Sequence, residues 1–192
     1  MTTDSPIDRR SARTRDLLLA ALPDLMAERG FERLTTQNII DRAGVGRATF
    51  YAHFDNKEEL LAASVGRLRA WLEAMRSQYP AQPFAFMMPF FDHLASHRAI
   101  YRTTFERESE VSVERLIRAM MRELVRAELI ANRTPQQDDA AIELATQFVV
   151  STFWSVTVWW MNGGGQRPPT QVNAIFLQLA RPGLELALTT PA

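Results

Sequence analysis

Residues 35–61 read TTQNIIDRAGVGRATFYAHFDNKEELL. Thr35 is a good N-cap for a short helix reaching Arg42, because a threonine oxygen accepts an otherwise orphaned backbone N–H. Gly44 ends that helix, and Ala43-Gly44-Val45-Gly46 has the length of a tight helix–helix turn. A second short helix is expected from Arg47 to His53. Ile39, Ala43, Val45 and Phe50 form the apolar seam between the two. Helix, four-residue turn with glycine, helix is the spacing of a helix-turn-helix. Asp55 then reads as an N-cap with Glu58 at the third helical position, a capping box. The helix it opens carries Leu61, Val65, Leu68 and Leu72 on one stripe.

Upstream, Leu18, Ala21, Leu22 and Leu25 follow a three-four spacing, so residues 14–29 read as an amphipathic helix closed by Gly30. Pro23 opposes the Leu19 carbonyl and predicts a kink or break, at about 3 kcal/mol if unrelieved. Residues 1–13 read as a flexible basic arm. Arg9, Arg10, Arg13 and Arg15 suit DNA phosphates, and suit a solvated tip equally well.

A helix fits the DNA major groove and presents its N-terminal residues to base edges. Here those residues are Gly46, Arg47 and Ala48. Arg47 has the fork to bond a guanine edge twice, while Thr49, Tyr51 and His53 offer polar groups to phosphates. Lys57 sits at a helix N-terminus, which favours an anion. The same spacing also fits a plain helical hairpin with a solvated polar face.

The order of elements from Thr14 to Leu61 resembles the DNA-binding domain of the tetracycline-repressor (TetR) family. The elements that carry the resemblance are Gly30-Phe31, Thr35-Thr36, Ala43-Gly44-Val45, Thr49-Phe50-Tyr51-Ala52-His53-Phe54 and Lys57-Glu58-Glu59-Leu60. The resemblance implies that Thr35 and Thr36 start the supporting helix near the DNA backbone. It implies that Gly46, Arg47 and Ala48 open the recognition helix, and that Tyr51, His53 and Lys57 contact phosphates. Gly46 departs from the usual Ser or Thr, Ile40 from a common Ala, and Pro23 is unusual.

The remainder reads as helical, without strand signals or repeats. The expected fold is all-α: a three-helix DNA-binding domain over residues 14–55, joined to a helical effector-binding and dimerisation domain over residues 56–192. Helices are expected at Arg98–Arg107, at Val111–Leu129, from Pro135 to Asn162, and from Thr170 to Leu188 with an interruption at Pro182-Gly183. By resemblance, this half holds a largely apolar small-molecule effector. Met87, Met88, Phe91, Tyr101, Phe105, Met120, Phe148 and Trp154 are candidate walls, and methionine suits an adaptable cavity. His97, Arg102, Glu143 and Gln147 are candidate polar contacts; each fits a structural role as well. The last two helices, with Trp154, Val158 and Trp160, read as a homodimer surface that would match a palindromic double-stranded operator. Those aromatics fit burial within one subunit equally.

Composition narrows the alternatives. The 192 residues are 46% hydrophobic and 23% charged, with 22 basic and 22 acidic groups and no cysteine. That excludes disulfides, thiolate metal sites and a cysteine nucleophile. Lys57 is the sole lysine among those basic groups. No phosphate loop or nucleophile elbow is present, so no catalytic residue, cofactor or metal is expected. His93 and His97 lie four apart but lack an HExxH pattern and read as a surface pair. The apolar run Phe148–Met161 is too short for a bilayer, so a cytoplasmic protein without a membrane partner is expected. The rival reading is a helical interaction or scaffold protein that reads no DNA sequence.

Overall fold

The computed structural model describes residues 6–78, 83–101, 111–163 and 166–189. Helix α1 spans Pro6–Arg29. It therefore takes in most of the expected flexible arm. Proline is well placed at a first helical position, where its missing N–H would have no partner anyway. The residues that follow are polar but helix-compatible, and Thr14 Oγ1 donates to the Arg10 carbonyl at 3.1 Å. The amphipathic period begins only at Leu18, so apolar spacing could not reveal this extension. Nor does Pro23 break α1.

Helix α2 spans Thr36–Ala43 and α3 spans Arg47–Tyr51, two residues shorter than expected. Thr35 Oγ1 accepts from Asn38 N at 3.2 Å, and Asn38 Oδ1 accepts from Thr35 N at 3.1 Å. Gly44 closes α2 at φ 65°, a left-handed position that costs glycine little. Helix α4 spans Lys57–Gln78. Its cap is Asn56, not Asp55: Asn56 Oδ1 accepts from Glu59 N at 2.8 Å, and Glu59 reaches back to Asp55 N at 2.6 Å. The cap is one residue later than the sequence suggested, and Glu59 closes onto Asp55 N rather than onto the N–H of the cap itself, because Asp-Asn offers two competent caps in a row.

Helix α5 spans Met87–Ser96, with Pro89 harmlessly in its first turn. Helical conformation resumes over 98–101, while the rest of the expected Arg98–Arg107 helix lies outside the described residues. Helices α6 (Val111–Ala131), α7 (Asp139–Asn162) and α8 (Pro169–Thr189) complete the body. Asp138 caps α7 through a 2.7 Å bond from Ala141 N. The last helix starts at Pro169 rather than at a Thr170 cap, since Pro168 O already accepts from Gln171 N and Val172 N. It also continues through Pro182-Gly183. A Cβ at Gly183 would overlap the Phe148 ring, which would have to move. Among the described residues there is no strand.

One apolar core joins head and body. In the body, Phe90 and Phe91 of α5 each sit 5.3 Å from Phe153 of α7, ring to ring. Trp160 lies 5.9 Å and Phe176 of α8 lies 6.2 Å from Phe91. Phe84 holds a positive φ of 55° on the approach to α5. Its N–H donates to the buried Glu128 side chain of α6, a bond that holds the strained residue in place. Helix α7 is long and apolar enough to cross a membrane, but half of that window is buried in this core.

Candidate nucleic-acid interface and ligand cavity

The head is braced from behind its reading face. Arg42 of α2 donates from one nitrogen to both Glu28 oxygens of α1 at 2.7 Å. Phe50 is fully buried, while Gly46, Arg47, Ala48, Thr49 and Tyr51 around it are exposed. Arg47 lies 5.8 Å from the Tyr51 ring centroid, so these two anticipated DNA contacts share one open surface. Gly46 caps α3 in an extended conformation without a side-chain bond. Thr35 is exposed but its hydroxyl is occupied by the cap; Thr36 and His53 are half-buried. Sequence reasoning missed Asn38, because a capping box normally shows Glu or Gln at that position.

Lys57 is placed differently from expectation. Its side chain is only 16% exposed. The ammonium donates to the carbonyls of Phe31 and Glu32, both at 3.2 Å, and lies 4.7 Å from the Phe31 ring centroid. It thus latches the start of α4 onto the turn that follows α1. A compact ammonium suits two neighbouring carbonyls under a ring better than a planar guanidinium does. That accounts for a lysine in a chain otherwise using arginine.

A cavity of about 450 Å³ lies between head and body. Helix α1 contributes Leu19, Ala20, Pro23 and Met26, and α6 contributes Val113 and Ile117. Helix α4 contributes Leu61, Ser64, Val65, Arg67, Leu68 and Trp71. The fourth wall is His93, His97, Ile100 and Tyr101. His93 Nε2 and the Tyr101 hydroxyl are 3.0 Å apart, and His97 Nδ1 donates to the His93 carbonyl at 3.0 Å. Burial, with a smaller push from His97, lowers the His93 pKa to about 4. Burial alone raises that of Tyr101. The histidines are therefore not the surface pair the sequence suggested. Among the described residues no three His, Cys, Asp or Glu side chains converge on a possible metal position.

Comparison with known proteins agrees with this arrangement. The family described as "Bacterial regulatory proteins, tetR family" matches residues 18–64. A second, "Transcriptional regulator C-terminal region", matches residues 81–182, more than half of the chain. The chain belongs to the TetR family. It is a DNA-binding transcriptional regulator with a helix-turn-helix head and a helical body. It is 29% identical to the HTH-type transcriptional repressor KstR2 of Rhodococcus jostii, over 95% of this chain and 97% of that protein. It is 25% identical to KstR2 of Mycolicibacterium smegmatis, over 96% of each. A TetR transcriptional regulator from Streptococcus agalactiae shares the fold, with a TM-score of 0.67 at 20% identity, over 90% of this chain and 96% of that one.

In this TetR-family regulator, two of the anticipated pocket residues, His97 and Tyr101, line the cavity. Arg102 and Phe105 lie outside the described residues. Met87, Phe91 and Met120 are buried and Met88 half-buried, none of them on the cavity. Glu143 and Gln147 are exposed on α7; Glu143 faces Arg122 at 3.6 Å. Phe148 packs against Gly183, and Trp154 lies under the Arg118 guanidinium at 4.0 Å. The reason is the rotation of α5: its Met/Phe side faces α7 and α8, and its His side faces α4. That rotation is set by packing and is invisible in an all-round apolar segment. Trp154 and Trp160 are likewise buried within the subunit. The exposed apolar groups of the last two helices are Leu144, Trp159, Leu179 and Leu186.

Proposed function

We propose that this regulator is a homodimeric repressor that reads a palindromic operator and is released from it by a small molecule. The open α3 surface, with Arg47 beside Tyr51, carries the reading. Arg47 would read base edges; Thr36, Thr49, Tyr51 and His53 would hold phosphates. Thr35 and Ala48 would lie close to the DNA backbone and bases at the two helix starts. Lys57 would brace the head from the start of α4, beside the phosphate-holding residues.

The dimer is supported by two largely exposed helix faces. On α7, Leu144, Ser151, Ser155 and Trp159 share one side. On α8, Ile175, Leu179, Pro182 and Leu186 follow the same helical spacing, with Leu186 67% exposed. The exposed apolar groups Leu144, Trp159, Leu179 and Leu186 on these two packed helices are surface that association would cover. A two-fold dimer would place two α3 helices on half-sites about 34 Å apart. The cavity between α1, α4, α5 and α6 would be the effector site, a shape and lining usual for small ligands. DNA binding would place the protein in the cytoplasm.

Selection of bound sequences from a random duplex pool tests the reading. Enrichment of a palindrome with half-sites one turn apart is the expected result. A folded, dimeric protein that enriches no sequence would overturn it and favour the interaction-protein alternative.

A further inference from the structure

The cavity between head and body has sides of unlike polarity. Its described lining contains no carboxylate, and it contains Arg67. The walls from α1 and α6 are entirely apolar: Leu19, Ala20, Pro23, Met26, Val113 and Ile117. The polar groups cluster on α4, on α5 and on the segment that follows it, at His97 and Tyr101. The cavity thus has an apolar side and a side offering hydrogen bonds with a positive charge at its edge.

Arg67 is not idle. Its Nη1 donates to Asp16 Oδ1 of α1 at 3.2 Å, joining the head helix to α4. Both side chains are about two-thirds exposed, 65% and 68%. An exposed ion pair of this kind is weak and is screened by salt, so another anion exchanges for Asp16 at little cost. Buried pairs would not exchange so readily. The pair also lies beside the α1 wall of the cavity, since Leu19 and Ala20 follow Asp16 by three and four residues, the same side of a helix.

We propose that the cavity takes an amphipathic monoanion, an apolar body with one terminal carboxylate, whose carboxylate replaces Asp16 as the partner of Arg67. This deepens the reading of the cavity as the effector site and rests on it. The apolar body lies against Pro23 and Ile117, and the carboxylate comes to Arg67 at the rim. Binding removes one tie between α1 and α4, so ligand occupancy acts on the head helix directly. An ammonium at the same place would meet the guanidinium instead of a counter-charge. A neutral head would leave the Arg67–Asp16 pair intact.

The test is calorimetric titration of the full-length protein at low salt with octanoate, 1-octanol and octylamine, which share one chain and differ in head charge. The expected result is octanoate binding about two- to fivefold tighter than either, the size of an exposed ion pair. Arg67→Gln should erase that preference while leaving octanol binding unchanged, and Asp16→Asn should strengthen octanoate binding severalfold by removing the competitor. Added salt should shrink the preference. Octanoate no tighter than octanol, or a preference that survives Arg67→Gln, overturns the proposal. Failure of all three probes to bind overturns it too. Ser64→Phe, which fills the cavity, separates the two levels. If octanoate binds no tighter than octanol and Ser64→Phe abolishes the binding of both, the effector cavity stands though the monoanion falls. If Ser64→Phe changes no probe's binding, the cavity reading itself falls.

Discussion

Replacing Lys57 by methionine keeps most of the stem and removes the ammonium. In the native protein the ammonium donates to two carbonyls at 3.2 Å and lies over the Phe31 ring at 4.7 Å. A hydrogen bond to a charged group contributes about 1.5–3 kcal/mol when well buried. Here the Phe31 carbonyl is part-buried and the Glu32 carbonyl exposed, so the low end for the first and about half of that for the second are appropriate. The ring contact adds about 1 kcal/mol. The expected loss is therefore about 3 kcal/mol. In a cooperative protein of this length that lowers the melting temperature by about 6–12 °C. Urea unfolding followed by circular dichroism measures the first quantity, and a thermal scan the second. The same variant, assayed on the selected operator across a salt series, reports any phosphate contact as a fall of about 0.9 in the salt slope. A stability change under about 0.5 kcal/mol would refute the latch, because that is what a solvated surface lysine shows. An unchanged slope beside a large stability loss would assign Lys57 wholly to bracing the head.

Three further outcomes are expected. Gly183→Ala places a Cβ into the Phe148 ring and should cost about 1–3 kcal/mol in urea unfolding; Phe148→Leu in the same chain should recover part of that loss, and additive costs would refute the clash. The folded His93 has a pKa of about 4 against an ordinary 6.5, caused by burial and then by His97. The unfolded chain therefore binds the extra proton first, and stability should rise with pH from about 4 to about 6.5. Stability curves at pH 4.5 and pH 7 should lie closer together for His93→Gln than for the native chain; an unchanged gap would show that His93 does not contribute. Arg47→Ala should relax base preference at one operator position and cost about 1–3 kcal/mol on the preferred site, read by anisotropy on variant operators. Equal weakening on all sequences would reduce Arg47 to a phosphate contact.

The head was legible because its signals are short-range. Thr35, Gly44 and Gly46 act through hydrogen bonds and dihedrals within four residues, and the structure has all three at the ends of helices. Caps slipped by a residue or two only where neighbours compete, as at Asp55-Asn56 and at Pro168-Pro169-Thr170. The body was legible as helices but not as faces. The segment from Phe84 to Phe91 is apolar all round, so no period says which side meets α4 and which meets α8. Apart from His97 and Tyr101, the cavity consequently fell among residues not anticipated as its walls, such as Leu19, Pro23 and Trp71. Pro23, an oddity in the sequence, is a cavity wall in the structure.

The sequence by itself determined the helix-turn-helix, its caps, the exposed Arg47 and Tyr51 on α3, and membership in a family of regulators, because each of these is written in residues adjacent in the chain. Only the tertiary structure decided that Lys57 reaches back to Phe31 and Glu32, that Glu128 holds Phe84, and that Asp16 meets Arg67 at the rim of a cavity. Those partners are 25 to 51 residues apart. Which of them meet depends on how far each helix is rotated and how closely it packs, and these are settled by filling one shared core rather than by any local pattern.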